Sequence, residues 1–257
     1  MEYIPLGRSS AAIPKIGVGT WQYAAGTSVI QRAVNLGAGF VDTAESYGTE
    51  SVVGDEIRGI REHVFLATKV SAMNLAYDDV LVHAEASLEC LGTDVLDLYQ
   101  IHFPNPDIPI TETMRAMREL VQDGRVKHVG VSNFSADDMR GAQDALGNVP
   151  LVSNQVCYNL FSREIELDVL PYCQEHEITV IAHTPLAKGG FRGHAGLTAI
   201  AEETGRTEAQ VLLNWVISHS GVMAIPKTNR RQRVDEAVGS VGWTLNPEQV
   251  RSLEAAV

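Results

Sequence analysis

Four ionisable side chains follow three short apolar segments of this chain: Asp42 and then Tyr47 follow the first, and Lys69 and His102 end the next two. A phenol with an ordinary pKa near 10 is a poor acid at neutral pH, but a neighbouring ammonium typically lowers that pKa by about 1–3 units. Lys69 could supply the ammonium, and Asp42 could hold Lys69 in position. His102 could hydrogen-bond a carbonyl oxygen. Together these residue types predict proton donation to an oxygen that gains negative charge.

Each of the four residues could instead have a purely structural role. Asp42 could cap the loop that follows it, and Tyr47 could be a half-buried core residue. Lys69 could be an exposed charge at the end of a loop, and His102 could bond only to backbone. Their recurrence at successive strand ends favours catalysis, because barrel enzymes carry their catalytic groups at the carboxyl ends of strands.

Eight strand-like apolar runs alternate with helical patterns along the chain. The runs are Lys15–Val18, Gly39–Val41, Val64–Thr68, Val95–Ile101, His128–Val131, Leu151–Gln155, Thr179–Ala182 and Val222–Pro226. Most are continuously apolar, as expected of strands that are covered on both faces. The alternation predicts an α/β fold, a parallel (β/α)8 TIM barrel. Residues 3–14 resemble a short N-terminal β-hairpin that closes the bottom of the barrel.

Apolar periodicity and end signals predict the connecting helices. Asp78 or Asp79 is expected to cap one helix, and a second opens at Thr111 and ends near residues 123–124. A third is expected to begin at Ser135, and a fourth spans Thr207–Ser218. No linker or low-complexity stretch interrupts the 257 residues, which predicts a single domain over residues 1–257.

Composition excludes several classes of function. The net charge of −12 argues against nonspecific nucleic-acid binding. No apolar run reaches about 18 residues, so no membrane span is expected, and the first ten residues lack a signal-peptide core. Cys90, Cys157 and Cys173 are odd in number and have no CxxC spacing. We therefore expect free, buried thiols in a reducing cytoplasm, and no metal site.

The chain resembles the aldo-keto reductases from about Tyr3 to Glu254. The matching segments are GVGTW at 17–21, DTAESYG at 42–48, Thr68-Lys69, LDLYQIHFP at 96–104, GRVK at 124–127, GVSNF at 130–134 and IPK at 225–227. This resemblance implies a monomeric enzyme that reduces the carbonyl group of a small aldehyde or ketone with NADPH, with NADH as the second candidate. It also implies that Tyr47 is the general acid, tuned by Asp42 and Lys69, and that His102 orients the carbonyl.

The resemblance further implies where the cofactor binds. The residues expected near the nicotinamide and its ribose are Thr20, Asp42, Ser132, Asn133, Gln155 and His183. Thr184 to Leu186 would form the pyrophosphate loop, and the residues expected around the adenosine 2′-phosphate and the adenine are Lys227, Thr228, Arg233 and Glu236. His183 departs from the family, in which an aromatic residue often packs under the nicotinamide, and we expect it to be neutral.

Simpler explanations exist for some of these positions. Ser132 and Asn133 could form a helix-capping turn, and Gln155 could satisfy buried backbone. His183 could lie at a loop end without touching a cofactor. Cations at a helix start are electrostatically disfavoured, and this misfit supports an anion site at Lys227 and Arg233.

The sequence also allows a prediction about the substrate pocket and two alternative functions. Trp21, Tyr23 and Phe103 are expected to wall an open, permissive substrate pocket. Lys69 could instead form a Schiff base, as in a lyase. A third interpretation is an NADPH-binding regulatory or sensor subunit with little turnover, because one fold can serve several functions.

Overall fold

The computed structural model describes residues 1–255, and the last two residues of the predicted 1–257 domain lie outside the described residues. The strands are β1 Tyr3–Pro5, β2 Ala12–Pro14, β3 Val18–Gly19, β4 Phe40–Asp42, β5 Phe65–Val70, β6 Leu96–Ile101, β7 Val126–Ser132, β8 Leu151–Cys157, β9 Thr179–His183 and β10 Val222–Ala224. The helices are α1 Val29–Asn35, α2 Glu50–Ile57, α3 Tyr77–Leu91, α4 Ile110–Gln122, α5 Ala136–Leu146, α6 Val169–Glu175, α7 Ala195–Thr204, α8 Glu208–Ile217, α9 Arg231–Val238 and α10 Pro247–Ala255.

Strands β3 to β10 form one parallel sheet in sequence order. Parallel bridges from Ile16 to Ala224 and from Gly19 to Lys227 join its first and last strands. The amide of Gly17 also donates to the carbonyl of Ala224 at 2.9 Å. These contacts close the sheet, and the predicted (β/α)8 barrel is confirmed.

Most predicted elements lie where the sequence places them. The predicted run Lys15–Val18 is the main difference, because β3 begins only at Val18 and the preceding residues meet β10 through single bridges. Ser135 and Thr207 cap α5 and α8 through capping boxes, each accepting a hydrogen bond from the amide three residues later. The prediction that Asp78 or Asp79 caps α3 is wrong. Both carboxylates lie inside the first turn, where they face the positive end of the helix.

A short hairpin and an apolar layer close the bottom of the barrel. β1 and β2 pair antiparallel, as predicted for residues 3–14. Leu6 and Ile13 from this hairpin pack against barrel residues that include Phe40, Ala67 and Leu98. Because side chains alternate along a strand, the inward-facing residues two positions after Phe40 and Ala67 are Asp42 and Lys69. The polar layer therefore lies above an apolar floor, at the carboxyl ends of the strands.

Two expectations from composition concern membrane-spanning helices and the state of the cysteines. Within residues 1–255, no helix has both the length and the apolar character needed to cross a bilayer. Cys90, Cys157 and Cys173 are free thiols, as predicted, but of the three only Cys173 is buried, and Cys90 is exposed.

Candidate active site

A buried ammonium joins the ends of β4 and β5. The Nζ atom of Lys69 lies 2.7 Å from Oδ1 of Asp42 and 2.8 Å from the carbonyl oxygen of Thr43. It lies 3.4 Å from the hydroxyl of Tyr47. Lys69 and Asp42 are both buried, at 0% and 1% exposure, so their charges are held in place with little competition from water. The structure thus brings together the three residues that the sequence predicts as an acid and its tuning pair.

Tyr47 lies on a single 3₁₀ turn, Glu45–Tyr47, that follows β4. Gly48 ends this turn with a φ of 63°, a conformation that glycine adopts without a steric penalty. Glu45 anchors the turn: its carboxylate accepts from Nδ2 of Asn74 at 2.9 Å and lies 2.7 Å from Nδ1 of His83. The sequence carries no local signal for this anchor, because Asn74 and His83 come next to Glu45 only through folding.

The pKa of Tyr47 is raised above its ordinary value, and burial is the largest cause. Lys69 acts in the opposite direction, whereas the charge of Asp42 raises the pKa further. The expectation of a net lowering is therefore wrong for the protein alone, because desolvation of the phenolate exceeds the attraction of the ammonium. Tyr47 keeps its proton at neutral pH, which is the state that a proton donor requires.

His102 lies at the mouth of the cleft, beside Tyr47. The two ring centroids are 5.5 Å apart in an edge-on arrangement, and Nδ1 of His102 lies 3.2 Å from Oγ of Ser46. Burial, followed by the charge of Lys69, lowers the pKa of His102 to about 4. His102 is consequently neutral at neutral pH, so it can orient a carbonyl oxygen without adding a charge.

Three of the four residues line a cleft of about 540 Å³, and Lys69 lies buried behind them. The cleft lining contains Asp42, Tyr47 and His102, together with most residues predicted to bind a cofactor: Thr20, Ser132, Asn133, Gln155, His183, Thr184, Leu186, Lys227 and Arg233. The carboxyl ends of the strands and the loops after them supply these side chains, as expected for a barrel site.

Amide side chains connect this lining to the buried charges. Nε2 of Gln155 donates to Oδ2 of Asp42 at 2.7 Å, so Gln155 fixes the carboxylate from the side opposite Lys69. Nδ2 of Asn133 donates to the carbonyl of His102 at 3.0 Å, and Asn133 has a φ of 62°. A left-handed non-glycine residue at a site is often held there by function. Because Ser135 caps α5, a capping role for Ser132 and Asn133 is not needed.

His183 lies in the cleft rather than on the outer surface. Its Nδ1 is 2.9 Å from Oγ1 of Thr184, and its Nε2 is 3.4 Å from Oδ1 of Asn133. Burial, followed by the charges of Lys69 and Lys188, lowers its pKa to about 4. The predicted neutral state of His183 is confirmed for the protein alone.

The low pKa values of His102 and His183 predict how stability depends on pH. Between about pH 6.5 and about pH 4, the unfolded chain takes up protons at these positions that the folded protein does not. Folding stability should therefore fall as the pH drops through this window, and this penalty should be absent above it. Urea unfolding near pH 7 and pH 5 should show a smaller loss for His183→Asn than for the unmodified protein.

The exposed His63 provides the control for this measurement. The variant His63→Asn should lose as much stability between the two pH values as the unmodified protein does. If the His183→Asn variant lost as much folding stability between pH 7 and pH 5 as the unmodified protein, the lowered pKa of His183 would be wrong.

A second cavity of about 510 Å³ adjoins the cleft and shares Lys227 and Arg233 with it. Thr228 and Glu236, also predicted cofactor residues, line this outer cavity. A carboxylate oxygen of Glu236 lies 3.4 Å from Nη1 of Arg233. Arg192 and Arg230 line it too. Neither arginine was predicted from the sequence, although the run TNRRQR at 228–233 already signals a cation cluster that includes Arg230.

Two of the three predicted substrate residues line the cleft. Trp21 and Phe103 are 49% and 50% exposed, and the imidazole of His102 stacks on Phe103. The structure does not bring Tyr23 to the cleft. It is 6% exposed, and its hydroxyl donates to Glu56 of α2 at 2.6 Å. The backbone turns inward at Gln22, with a φ of 53°, so the next side chain is buried against α2.

Comparison with known proteins decides the family. The model of the aldo/keto reductase family matches residues 15–257. The chain belongs to the aldo-keto reductase family. Among curated proteins, it is 37% identical to the methylglyoxal reductase YeaE of Escherichia coli K12, over 95% of this chain and 91% of that protein. Aldo-keto reductases are oxidoreductases, and this chain is an enzyme of that class.

Solved aldo-keto reductases share the fold over nearly their whole length. The thermostable aldo-keto reductase Tm1743, crystallised with the inhibitor epalrestat, is 34% identical with a TM-score of 0.94, and all of both chains is covered. An aldo-keto reductase from Klebsiella pneumoniae in complex with NADPH is 38% identical with a TM-score of 0.88, over 95% of this chain and 91% of that chain.

Proposed function

We propose that this enzyme reduces small aldehydes and ketones to alcohols with NADPH, and that Tyr47 donates the proton. One observation carries the proposal. The buried ammonium of Lys69 lies between the carboxylate of Asp42 and the hydroxyl of Tyr47, at the wall of a cleft that leads into a cationic cavity. When bound, NADPH supplies the hydride.

The neighbours of Tyr47 explain how it can give up its proton. Its raised pKa keeps the hydroxyl protonated until a carbonyl oxygen beside it gains negative charge. The phenolate that remains is then stabilised by the ammonium of Lys69, which is already in place. Neutral His102 can hydrogen-bond the carbonyl oxygen and hold it near the hydroxyl.

The two cavities fit a phosphorylated dinucleotide. Ser132, Asn133 and Gln155 line the inner cleft with hydroxyl and amide groups that suit a carboxamide. Lys227 and Arg233 stand where the cleft meets the outer cavity, and paired cations suit a compact phosphate dianion. The Klebsiella relative, crystallised with NADPH, supports the same cofactor for this chain.

Two half-exposed aromatic residues beside the cleft and the named relatives support the proposed substrate class. Trp21 and Phe103 are half exposed beside the cleft, which favours small carbonyl compounds over a fully enclosed bulky one. The relative that reduces methylglyoxal supports 2-oxoaldehydes as the first compounds to test. We further propose a monomeric, cytoplasmic protein with a single domain over residues 1–257.

The competing functions are less well supported. A Schiff-base lyase needs an accessible neutral amine, whereas Lys69 is fully buried and bonded to Asp42 and Thr43. A cofactor-binding sensor would not need Tyr47 and His102 at one cleft wall. Following the absorbance of the reduced nicotinamide over a panel of aldehydes and ketones separates these functions. Tight NADPH binding without turnover on any carbonyl would refute the reductase proposal.

Replacing Arg233 with alanine should weaken NADPH binding selectively. A charged hydrogen bond contributes about 1.5–3 kcal/mol, so the Kd for NADPH should rise by roughly 10- to 100-fold. The Kd for NADH, which lacks the 2′-phosphate, should change little. Titration calorimetry with both cofactors measures the two values.

The exposed Arg231 lies on the same helix but does not line either cavity within the described residues, so Arg231→Ala is the matched control. It should retain the preference for NADPH. If Arg233→Ala weakened the binding of NADPH and NADH equally, the 2′-phosphate of NADPH would have to bind at another position.

A further inference from the structure

One asparagine joins two loops that are far apart in the sequence. Nδ2 of Asn229 donates to the carbonyl of Gln22 at 3.1 Å, and Oδ1 of Asn229 accepts from the amide of Ala24 at 3.1 Å. Both ends of this amide group thus bind backbone of the loop after β3. Asn229 also lines the outer cavity, so it contacts that loop and the proposed phosphate site at once.

The first of these loops, residues 20–24, is the wall segment, because it carries Trp21 to the cleft. Thr20 fixes its start, since its amide and hydroxyl both donate to the carbonyl of Asp42. Tyr23 is anchored inward to Glu56. Trp21 and Gln22 lie between these anchors and are exposed. The bonds from Asn229 therefore act on the part of the wall segment whose backbone sets the position of Trp21.

The second segment, residues 227–233, is the phosphate segment, and it runs from the loop after β10 into the first residues of α9. It begins with Lys227 and Thr228, and a local turn follows in which the amide of Arg230 donates to Oγ1 of Thr228 at 3.0 Å. Lys227 and Arg233, the cations proposed for the 2′-phosphate, flank Asn229 in sequence. An anion that fixes these cations consequently also restricts the backbone from which Asn229 extends.

We infer that Asn229 is a positioning residue that transmits occupancy of the phosphate segment to Trp21. A cofactor carrying a 2′-phosphate then holds the wall segment in place at the substrate end of the cleft, and NADH does so less. This inference rests on the proposed function. It adds that cofactor identity affects the KM for the carbonyl substrate, because two sites that bias one structural element are thermodynamically coupled.

The experiment uses adenosine 2′,5′-bisphosphate, which has the 2′-phosphate but no nicotinamide and supports no turnover. Calorimetry measures its binding, and tryptophan fluorescence measures the response of Trp21. The unmodified protein should show a change in emission on binding, and Trp21→Phe should abolish it, since Trp215 is buried and Trp243 lies in neither cavity lining of the described residues. Asn229→Ala, saturated with the bisphosphate according to its own measured Kd, should lose more than about half of the Trp21 response.

Two further variants make the result specific. Asn229→Asp keeps an acceptor for the amide of Ala24 but loses the donor to Gln22, so its Trp21 response should be intermediate. Gln232→Ala, at an exposed position outside both cavity linings in the described chain, should respond fully. In steady-state assays, Asn229→Ala should raise the carbonyl KM measured with NADPH by about fivefold with little change in kcat, and should leave the KM measured with NADH nearly unchanged.

The outcomes distinguish this inference from the function beneath it. If the bisphosphate binds Asn229→Ala and the full Trp21 response remains, the coupling is refuted while the reductase proposal stands. A response that survives in Trp21→Phe also refutes it. If the bisphosphate fails to bind the unmodified protein, the phosphate site is wrong, and the coupling is overturned with it.

Discussion

Tyr47→Phe should lower kcat/KM for carbonyl reduction by about 10²–10⁴-fold, the range typical of losing a positioned general acid. The substitution removes only a hydroxyl whose single described hydrogen-bond contact is with Nζ of Lys69 at 3.4 Å, so the fold should persist. Cofactor affinity should be nearly unchanged, because the lost group acts on the substrate oxygen. The loss should therefore appear in turnover rather than in the binding of NADPH.

Steady-state kinetics on several aldehydes, with NADPH binding measured separately, test this expectation. Tyr77 provides the matched control, since its hydroxyl bonds Glu119 on the outside of the barrel. Tyr77→Phe should retain the activity of the unmodified protein. If Tyr47→Phe kept full activity, another group would have to be the acid.

Lys69→Met should have the second large effect, on both rate and stability. Removing the ammonium leaves the phenolate of Tyr47 without its stabilising charge, so kcat should fall by about 10²–10⁴-fold. Within residues 1–255, it also leaves the buried carboxylate of Asp42 with only Gln155 as a side-chain partner. Breaking a buried ion pair in this way typically costs about 3–5 kcal/mol of unfolding free energy.

The double variant Asp42→Asn/Lys69→Met separates the two effects. It removes the unpaired buried charge, so denaturant unfolding should show part of the lost stability restored. Activity should not return, because the ammonium is still missing. Recovery of both stability and rate in the double variant would mean that Lys69 matters only for folding.

The barrel was predictable because its signals are local. Continuous apolar runs, with Ser135 and Thr207 at helix starts, place most elements within a few residues of their observed bounds. The polar residues that end β4, β5 and β6 then had to meet, since parallel strands present their carboxyl ends at one rim. The predicted contact of Lys69 with Asp42 and Tyr47 follows from that rule.

The wrong and missing predictions have a common physical cause, because each depends on burial or on contacts that form only in the folded protein. The net direction of the Tyr47 pKa depends on how much water its hydroxyl loses, which no sequence motif records. Tyr23 is next to predicted pocket residues in sequence, but one left-handed residue at Gln22 turns it toward Glu56. Asn229 was overlooked because its partners are more than two hundred residues away.

The amino-acid sequence by itself determined the fold class, the family and the identity of the charged groups at the strand ends, because periodicity, end signals and motif spacing are encoded along the chain. Only the tertiary structure decided the protonation states of Tyr47 and His102, the anchors of the catalytic turn, and the link between the wall and phosphate segments. These properties depend on burial and on contacts between distant segments, and both exist only once the barrel has closed.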